Sequence, residues 1–443
     1  MIAGYKQVIA HALETFEGVL DEPPPTYGDE RFVLPHATRA TSCLNSNTDH
    51  AHIVHPIRGI LAGIIPTVTM SSLADVLDEM TAAGELVESL PDQAVRCVAC
   101  GHRCLIREGR RGICQVRFNQ AGELRVPWGY VAALQCDPTE KKPFYHFLPG
   151  SDTLTFGMLG CDFHCSYCQN WVSSQALRDP ASNAVRDTLR QLEPEQIIQR
   201  GIQMGAKIVG SSYNEPLITS EWARAIFAEG QAAGLKCVYI SNGNATAEAL
   251  DYLGPYLSGY KIDLKTMQDR QYRQLGGVLQ HVLDTIQSAF SRGLWVEVVT
   301  LIVPGFNDST DELMDAARFI AAVSPDIPWH VTAFHKDYRM QNPENTTSDM
   351  LIRAAEIGQE AGLRYVYAGN APGQVGEYED TRCHQCGMTL IRRYGYVIRD
   401  YVLTDAGTCP QCESVIPGVW PENAKEVRLA SSSDIFARHP RLV

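Results

Sequence analysis

Thr153-Leu154-Thr155-Phe156-Gly157-Met158 is followed, one residue later, by Gly160-Cys161-Asp162-Phe163-His164-Cys165-Ser166-Tyr167-Cys168-Gln169-Asn170. The first run is apolar and of strand length. The second puts three cysteines in the pattern C-x3-C-x2-C on the loop that the strand feeds. Outward from this junction, strand-like runs alternate with helical ones. Lys207-Ile208-Val209-Gly210, Cys237-Val238-Tyr239-Ile240, Tyr260–Leu264, Trp295–Val303, His330–Phe334 and Arg364–Ala368 read as six further strands. Between them, Pro194 opens a helix as an N1 residue, helices span about 219–233, 277–291 and 348–361, and Ser309-Thr310-Asp311-Glu312 spells a capping box. Seven strands separated by helices predict parallel βα units, folded as a full or partial (β/α) barrel or a doubly wound sheet. Both architectures gather chemistry at the carboxyl ends of the strands, so polar groups just after strands are the candidates.

Three thiolates this close can hold three corners of a cubane iron–sulfur cluster. With no fourth cysteine nearby, one iron would stay open to chelate the amine and carboxylate of S-adenosylmethionine (SAM). An electron could then cleave the sulfonium and release a 5′-deoxyadenosyl radical, the protein supplying geometry and a dry site. The competing reading is a structural zinc ion with His164 as fourth ligand.

C-x3-C-x2-C with an aromatic before the last cysteine resembles the radical SAM signature. Glu140-Lys141-Lys142-Pro143-Phe144-Tyr145-His146-Phe147-Leu148-Pro149-Gly150, together with Gly160 through Asn170-Trp171, is similar to the radical SAM component of the AmmeMemoRadiSam system, a family related to pyruvate formate-lyase activating enzymes. The resemblance runs from about residue 71 to Trp420. It implies a barrel of the radical SAM type, a [4Fe–4S] cluster with SAM, and two partner proteins, one AMME-type and one Memo-like, besides a reducing electron donor. By the same resemblance Ser212-Tyr213-Asn214-Glu215-Pro216 holds the SAM amine, with Asn214 and Glu215 as contacts, and Ser241 or Asn242 touches its ribose or methionine part. Tyr167 and Asn370 flank the adenine. Asp263 and Lys265 lie near SAM and substrate, and His335 is a third catalytic candidate. Glu297 and Thr300 are further polar residues on the fifth strand.

Two more cysteine groups flank this region. Cys383-His384-Gln385-Cys386 and Cys409-Pro410-Gln411-Cys412, joined by a stretch of strand formers, read as a zinc ribbon, with zinc as the expected metal. Gly387 follows the first knuckle, whereas Glu413 stands where the second would carry glycine, which predicts a less regular turn. Cys97, Cys100, Cys104 and Cys114 form the other group, a metal site whose spacing fits zinc or a second cluster, with a structural role favoured. Gly101 stands where the family usually shows proline, a departure expected to loosen this loop.

The remainder bounds the function. The chain has 443 residues, 45% of them apolar, a net charge of −13 and 14 cysteines, of which Cys43, Cys136 and Cys237 stand alone. Grouped cysteines without a secretory signal indicate metal in a reducing cytoplasm. The acidic balance disfavours nucleic acid, and no apolar stretch is long enough to span a membrane. Residues 1–69 read as a poorly structured extension, with one helical spacing over Tyr5–Leu20 and a polar tail holding His50, His52 and His55. An amphipathic helix over 71–80 opens the folded body. The expected division is 70–150 Cys-rich segment, 151–375 barrel, 376–420 zinc-ribbon-like unit and 421–443 tail. The leading function is a radical SAM enzyme acting on a small molecule or partner protein. A glycyl radical enzyme activase is the alternative, and a zinc-dependent scaffold or binding module comes last.

Overall fold

The computed structural model describes residues 72–430 and 441–442. The expectations for residues 1–69, including the Tyr5–Leu20 spacing, the three histidines and Cys43, lie outside the described residues. The first helix, Leu73–Glu79, starts where the sequence predicts one. Ser72 caps it, its hydroxyl accepting from Asp75 N while Asp75 returns a carboxylate to Ser72 N.

The main sheet has nine strands. We label them β1 (Ala133–Pro138), β2 (Asp152–Gly157), β3 (Ile208–Ser211), β4 (Lys236–Ser241), β5 (Leu257–Asp263), β6 (Trp295–Ile302), β7 (Trp329–Ala333), β8 (Val366–Gly369) and β9 (Arg441–Leu442). Their spatial order is β8-β7-β6-β5-β4-β3-β2-β1-β9. β2 through β8 pair in parallel, each with its neighbour in sequence. The two outer strands run antiparallel: β1 against β2, and β9 against β1. Among the described residues β2 and β8 do not pair, so the sheet is open rather than a closed ring. All seven predicted strands are present within a few residues of their expected limits. β1 and β9 were not foreseen, because short runs at a sheet edge carry no distinctive period.

The predicted helices lie between the strands, at Pro194–Gln203, Ser220–Ala232, Leu279–Ser291, Thr310–Val323 and Ser348–Glu360. Three short ones, Trp171–Ser174, Ala247–Leu253 and Asp269–Leu275, were missed. The capping box at Ser309 closes only halfway. Ser309 Oγ accepts from Glu312 N, but the Glu312 carboxylate turns to Thr266 Oγ1, Met267 N and Gln268 Nε2, tying this helix to the loop after β5. The sheet and helices bury one continuous core that includes Phe156, Trp222, Tyr260, Ile262, Val298 and Trp329, all fully buried.

The segment Phe144–Leu148 joins this body to the C-terminal unit. The Glu297 carboxylate, near the start of β6, accepts from Tyr145 N, His146 N, Trp295 Nε1 and His330 Nε2. His146 in turn reaches Tyr367 OH at 2.6 Å and Pro417 O at 2.7 Å, and Arg393 donates to Tyr145 O and Thr381 Oγ1. Burial presses the His146 imidazole down to about 4, so it serves here as a neutral ring. In the unit itself, Thr381–Arg382, Thr389–Tyr394 and Val397–Tyr401 form a three-stranded antiparallel sheet beside the two knuckles. Of the segment expected as a tail, Val427 is buried, Arg428 forms an ion pair with Asp152, and β9 joins the main sheet.

Candidate active site

β2 delivers the cysteine loop. At its end Gly157 has no room for a side chain, since a Cβ there would meet Ser212 O at 2.6 Å. Gly160 sits at φ 92°, open to glycine, where a Cβ would press on Val116 and on Cys114 O. Cys161, Cys165 and Cys168 follow, buried or half-buried against the core. Phe163 N donates to Cys161 Sγ at 3.3 Å, and Cys168 Sγ lies 3.1 Å from Ser174 Oγ. Burial pushes the Cys165 thiol up to about 12, so it ionises only against a cation. Among the described residues, no three metal-ligating side chains of this loop, His164 included, bring their donor atoms within 4.8 Å of one another. The loop thus does not present the compact donor set that a single tetrahedral ion gathers.

Glu215, Ser241 and Asn242, named from sequence, are brought together. The buried Glu215 carboxylate accepts from Leu217 N, from Ser241 Oγ at 2.7 Å and from Asn242 N at 2.8 Å. Asn214 instead ties the loop to β2, its Oδ1 accepting from Met158 N. Asp162, inside the cysteine motif, completes the network. It accepts from Asn242 Nδ2 at 2.7 Å and from Asn244 Nδ2 at 2.8 Å. Burial, and then the Asp162 charge, push Glu215 up to about 8. The hydrogen bonds to these two carboxylates come from amides, a hydroxyl and the Cys161 thiol; no Lys or Arg among the described residues pairs with either. A buried acidic pair of this kind suits a cationic ligand.

Asp263 and Lys265, at the end of β5, form an ion pair at 3.1 Å, and Lys261 pairs with the other oxygen of Asp263. Burial alone would raise the carboxyl, but the two ammonium groups hold it down to about 2. Lys265 is close enough to Cys165 and Tyr167 for its charge to act on both. Tyr167 is buried with its ring edge-on to Phe306. Thr300 is structural, donating to Leu264 O and accepting from Trp329 Nε1. Glu297 belongs to the seam described above, away from the carboxyl ends of the strands.

His335 and Asn370 occupy a different space. They line a cavity of about 450 Å³ with Gln169, Thr332, Tyr145 and Tyr396. Tyr396 OH donates to Asn370 Oδ1 at 3.1 Å. Glu215, Asp263 and Lys265 do not line it. The cavity adjoins the cysteine loop through Gln169, the residue after Cys168.

At the C-terminal unit Cys383, Cys386, Cys409 and Cys412 have all four sulfurs within 4.8 Å of one another. Cys383 and Cys412 are 3.5 Å apart, and Cys386 and Cys409 3.6 Å. Zn–S bonds of 2.3 Å in a tetrahedron place sulfurs about 3.8 Å apart, so the set fits one ion. A hydrogen bond from Ser414 draws Cys412 down to about 6. Glu413 adopts φ 61° and donates to Cys409 O, as Gly387 at φ 74° donates to Cys383 O. The second turn thus has the regular form despite lacking glycine. At the N-terminal group the expectation for Gly101 is reversed. Its N–H donates to Asn244 O at 2.8 Å, and a Cβ would lie 2.4 Å from Asn244 Oδ1 and His281 Nδ1, so glycine fits the loop tightly where proline would not.

Sequence reading missed Asp162, Lys261 and Asn244. Asp162 and Asn244 stand inside stretches already marked by cysteines and by Asn-Gly, but nothing in their spacing distinguished them from ordinary turn residues.

Residues 156–320 match the model of the radical SAM superfamily. An uncharacterized protein of Methanocaldococcus jannaschii is 36% identical over 309 residues, covering 69% of this chain and 90% of its own. The chain belongs to the radical SAM superfamily. The pyruvate formate-lyase-activating enzyme of Staphylococcus aureus is 24% identical over 240 residues, 49% of this radical SAM chain and 89% of its own. An isethionate sulfite-lyase activating enzyme of Oleidesulfovibrio alaskensis is 23% identical over 186 residues, 40% and 59% of the two chains. Among solved structures, a domain of a pyruvate-formate lyase-activating enzyme from Bacteroides vulgatus is 19% identical, spans 37% of this chain and 100% of that one, and superposes with a TM-score of 0.33. This protein is a radical SAM enzyme, which reductively cleaves SAM at a [4Fe–4S] cluster to make a 5′-deoxyadenosyl radical for hydrogen abstraction.

Proposed function

We propose that Cys161, Cys165 and Cys168 hold the cluster and that Glu215, with Ser241 and Asn242, receives the SAM ammonium. The observation that carries this is the pair of buried carboxylates, Asp162 and Glu215, beside the cysteine loop, with which no Lys or Arg among the described residues pairs. An ammonium brought by the ligand would ionise Glu215 and supply a charge-assisted hydrogen bond. Asn214 holds the loop after β3 in place, and Tyr167 and Asn370 border the adenine. Asp263 is kept charged by Lys261 and Lys265, which fixes it as an acceptor. The 450 Å³ cavity is the substrate site, with His335 placed to hold or move a proton there. The open sheet is read as a partial barrel, and the C-terminal sulfurs as a structural zinc site. Calorimetry on the reconstituted protein tests the SAM assignment: Glu215→Gln should weaken binding and His335→Gln should not. The reverse result would exchange their roles.

The Glu140–Gly150 stretch supports placing the protein in an AmmeMemoRadiSam system in the cytoplasm, with AMME-type and Memo-like partners. Co-purification with those two proteins from the native cell would test it. Its absence, with capture of a glycyl radical enzyme instead, would favour activase function. That second reading has its support in the activating enzymes among the relatives.

A further inference from the structure

The four N-terminal cysteines are spaced differently from the C-terminal four. Cys97 is close enough to Cys100, Cys104 and Cys114 to act on each electrostatically. Yet among the described residues no three of these sulfurs lie within 4.8 Å of one another, whereas all four sulfurs of the ribbon do. One zinc ion draws its ligands into the smaller figure. A cubane, which puts each cysteine outside its own iron, keeps them farther apart. Among the described residues, the catalytic loop likewise brings no three donor atoms as close as those of the ribbon. Ile113 N also donates to Cys104 Sγ at 3.5 Å, a backbone contact of the kind that tunes cluster potentials.

The two cysteine loops are neighbours. A Cβ at Gly160 would lie 3.2 Å from Cys114 O, and Gly160 directly precedes Cys161. Cys100 forms a backbone bridge with Ala245, and Gly101 N donates to Asn244 O, while Asn244 holds Asp162 beside Cys161. The ring of His102 lies edge-on to Phe163, 6.5 Å between centres. On the outer side Cys104 is only half-buried, and Leu105 and Ile113 next to it expose 55% and 45% of their surface.

We propose that Cys97, Cys100, Cys104 and Cys114 hold a second [4Fe–4S] cluster, through which electrons reach the catalytic loop. An external low-potential one-electron reductant is oxidised at the Cys104 face, and the second cluster is reduced by that electron. The electron then passes inward to the cluster of Cys161, Cys165 and Cys168, and no bond forms or breaks in the transfer. The binding claim stands on the sulfur geometry alone; the relay rests on the radical SAM activity.

The test uses the full chain, reconstituted anaerobically with iron and sulfide and analysed for iron, zinc and Mössbauer signature. About eight irons per chain are expected, falling to about four in Cys161→Ala/Cys165→Ala/Cys168→Ala and to about four in Cys97→Ser/Cys100→Ser. Zinc stays near one in all three. About four irons with two zincs in the parent would overturn the second cluster, as would a catalytic triple variant without iron. Iron lost with Cys97 and Cys100 but kept in full by the triple variant would instead overturn the catalytic assignment. Should the double variant not fold, Cys104→Ser and the metal count of the parent still decide. Dithionite-reduced parent should show an electron paramagnetic spectrum split by two interacting clusters. Two uncoupled signals would overturn the relay.

Discussion

At the scale of the residue, Glu215 has the most to lose and gain from its surroundings. Its carboxyl is raised to about 8 by burial and by Asp162, far above the ordinary value near 4.5. Without ligand, the folded state therefore binds a proton that the unfolded chain releases. Its stabilising contribution is full below about pH 4.5 and is lost as pH rises toward 8. Metal-free, ligand-free protein should melt at falling temperature over that window, and Glu215→Gln should flatten the slope when followed by circular dichroism. SAM binding acts in the opposite sense, since pairing with the ammonium ionises the acid. Affinity should rise with pH up to about 8, with proton release detectable by calorimetry in buffers of different ionisation enthalpy. In Glu215→Gln the affinity should drop by roughly 1.5–3 kcal/mol, the scale of a charged hydrogen bond. The cysteine motif was legible in the sequence from its spacing, and Glu215 only through the resemblance of the segment after β3. Asp162 was not, because its importance arises only when Asn242 and Asn244, about eighty residues on, close around it.

At the scale of the element, alternation of strand and helix was legible along the whole parallel part of the sheet. The strand limits moved by a few residues and the order held. What stayed hidden were pairings that depend on partners elsewhere: β1, which has no helix before it, and the half-used capping box at Ser309, whose Glu312 serves another loop. The knuckle turns lend themselves to experiment. Glu413 holds the left-handed conformation that costs a side-chain-bearing residue roughly 1–2 kcal/mol, while glycine pays up to about 1 kcal/mol more in the unfolded chain. Glu413→Gly should thus stabilise the unit slightly, by up to about 1 kcal/mol, visible as a higher denaturant midpoint with unchanged slope. In Cys409→Ser/Cys412→Ser, zinc content should fall and the C-terminal unit should become sensitive to proteolysis while the sheet stays protected. Unchanged zinc would refute the ribbon assignment.

At the scale of the whole molecule, buried charges fasten the parts together. Arg117, from the Cys-rich segment, makes a two-pronged pair with Glu221 on the Ser220–Ala232 helix, at 2.7 and 2.8 Å, with both side chains 1% exposed. Removing one partner leaves a buried charge unmatched, so Glu221→Gln should cost roughly 3–5 kcal/mol in global stability by denaturant titration. Of the seam around Glu297 and His146, the sequence offered His146 only as part of a resemblance and Glu297 only as a polar residue on the fifth strand. Its physical purpose, joining sheet to ribbon, needed the fold to become visible. The ribbon's sulfur spacing also governs how the protein will survive on the bench. A disulfide needs its sulfurs roughly 2 Å apart, and Cys383–Cys412 and Cys386–Cys409 are already a short step from that. A chelator followed by air would therefore cross-link the two knuckles twice, and refilling with zinc would fail until a reductant was added. The history of a preparation would be written in its mass, as four missing hydrogens.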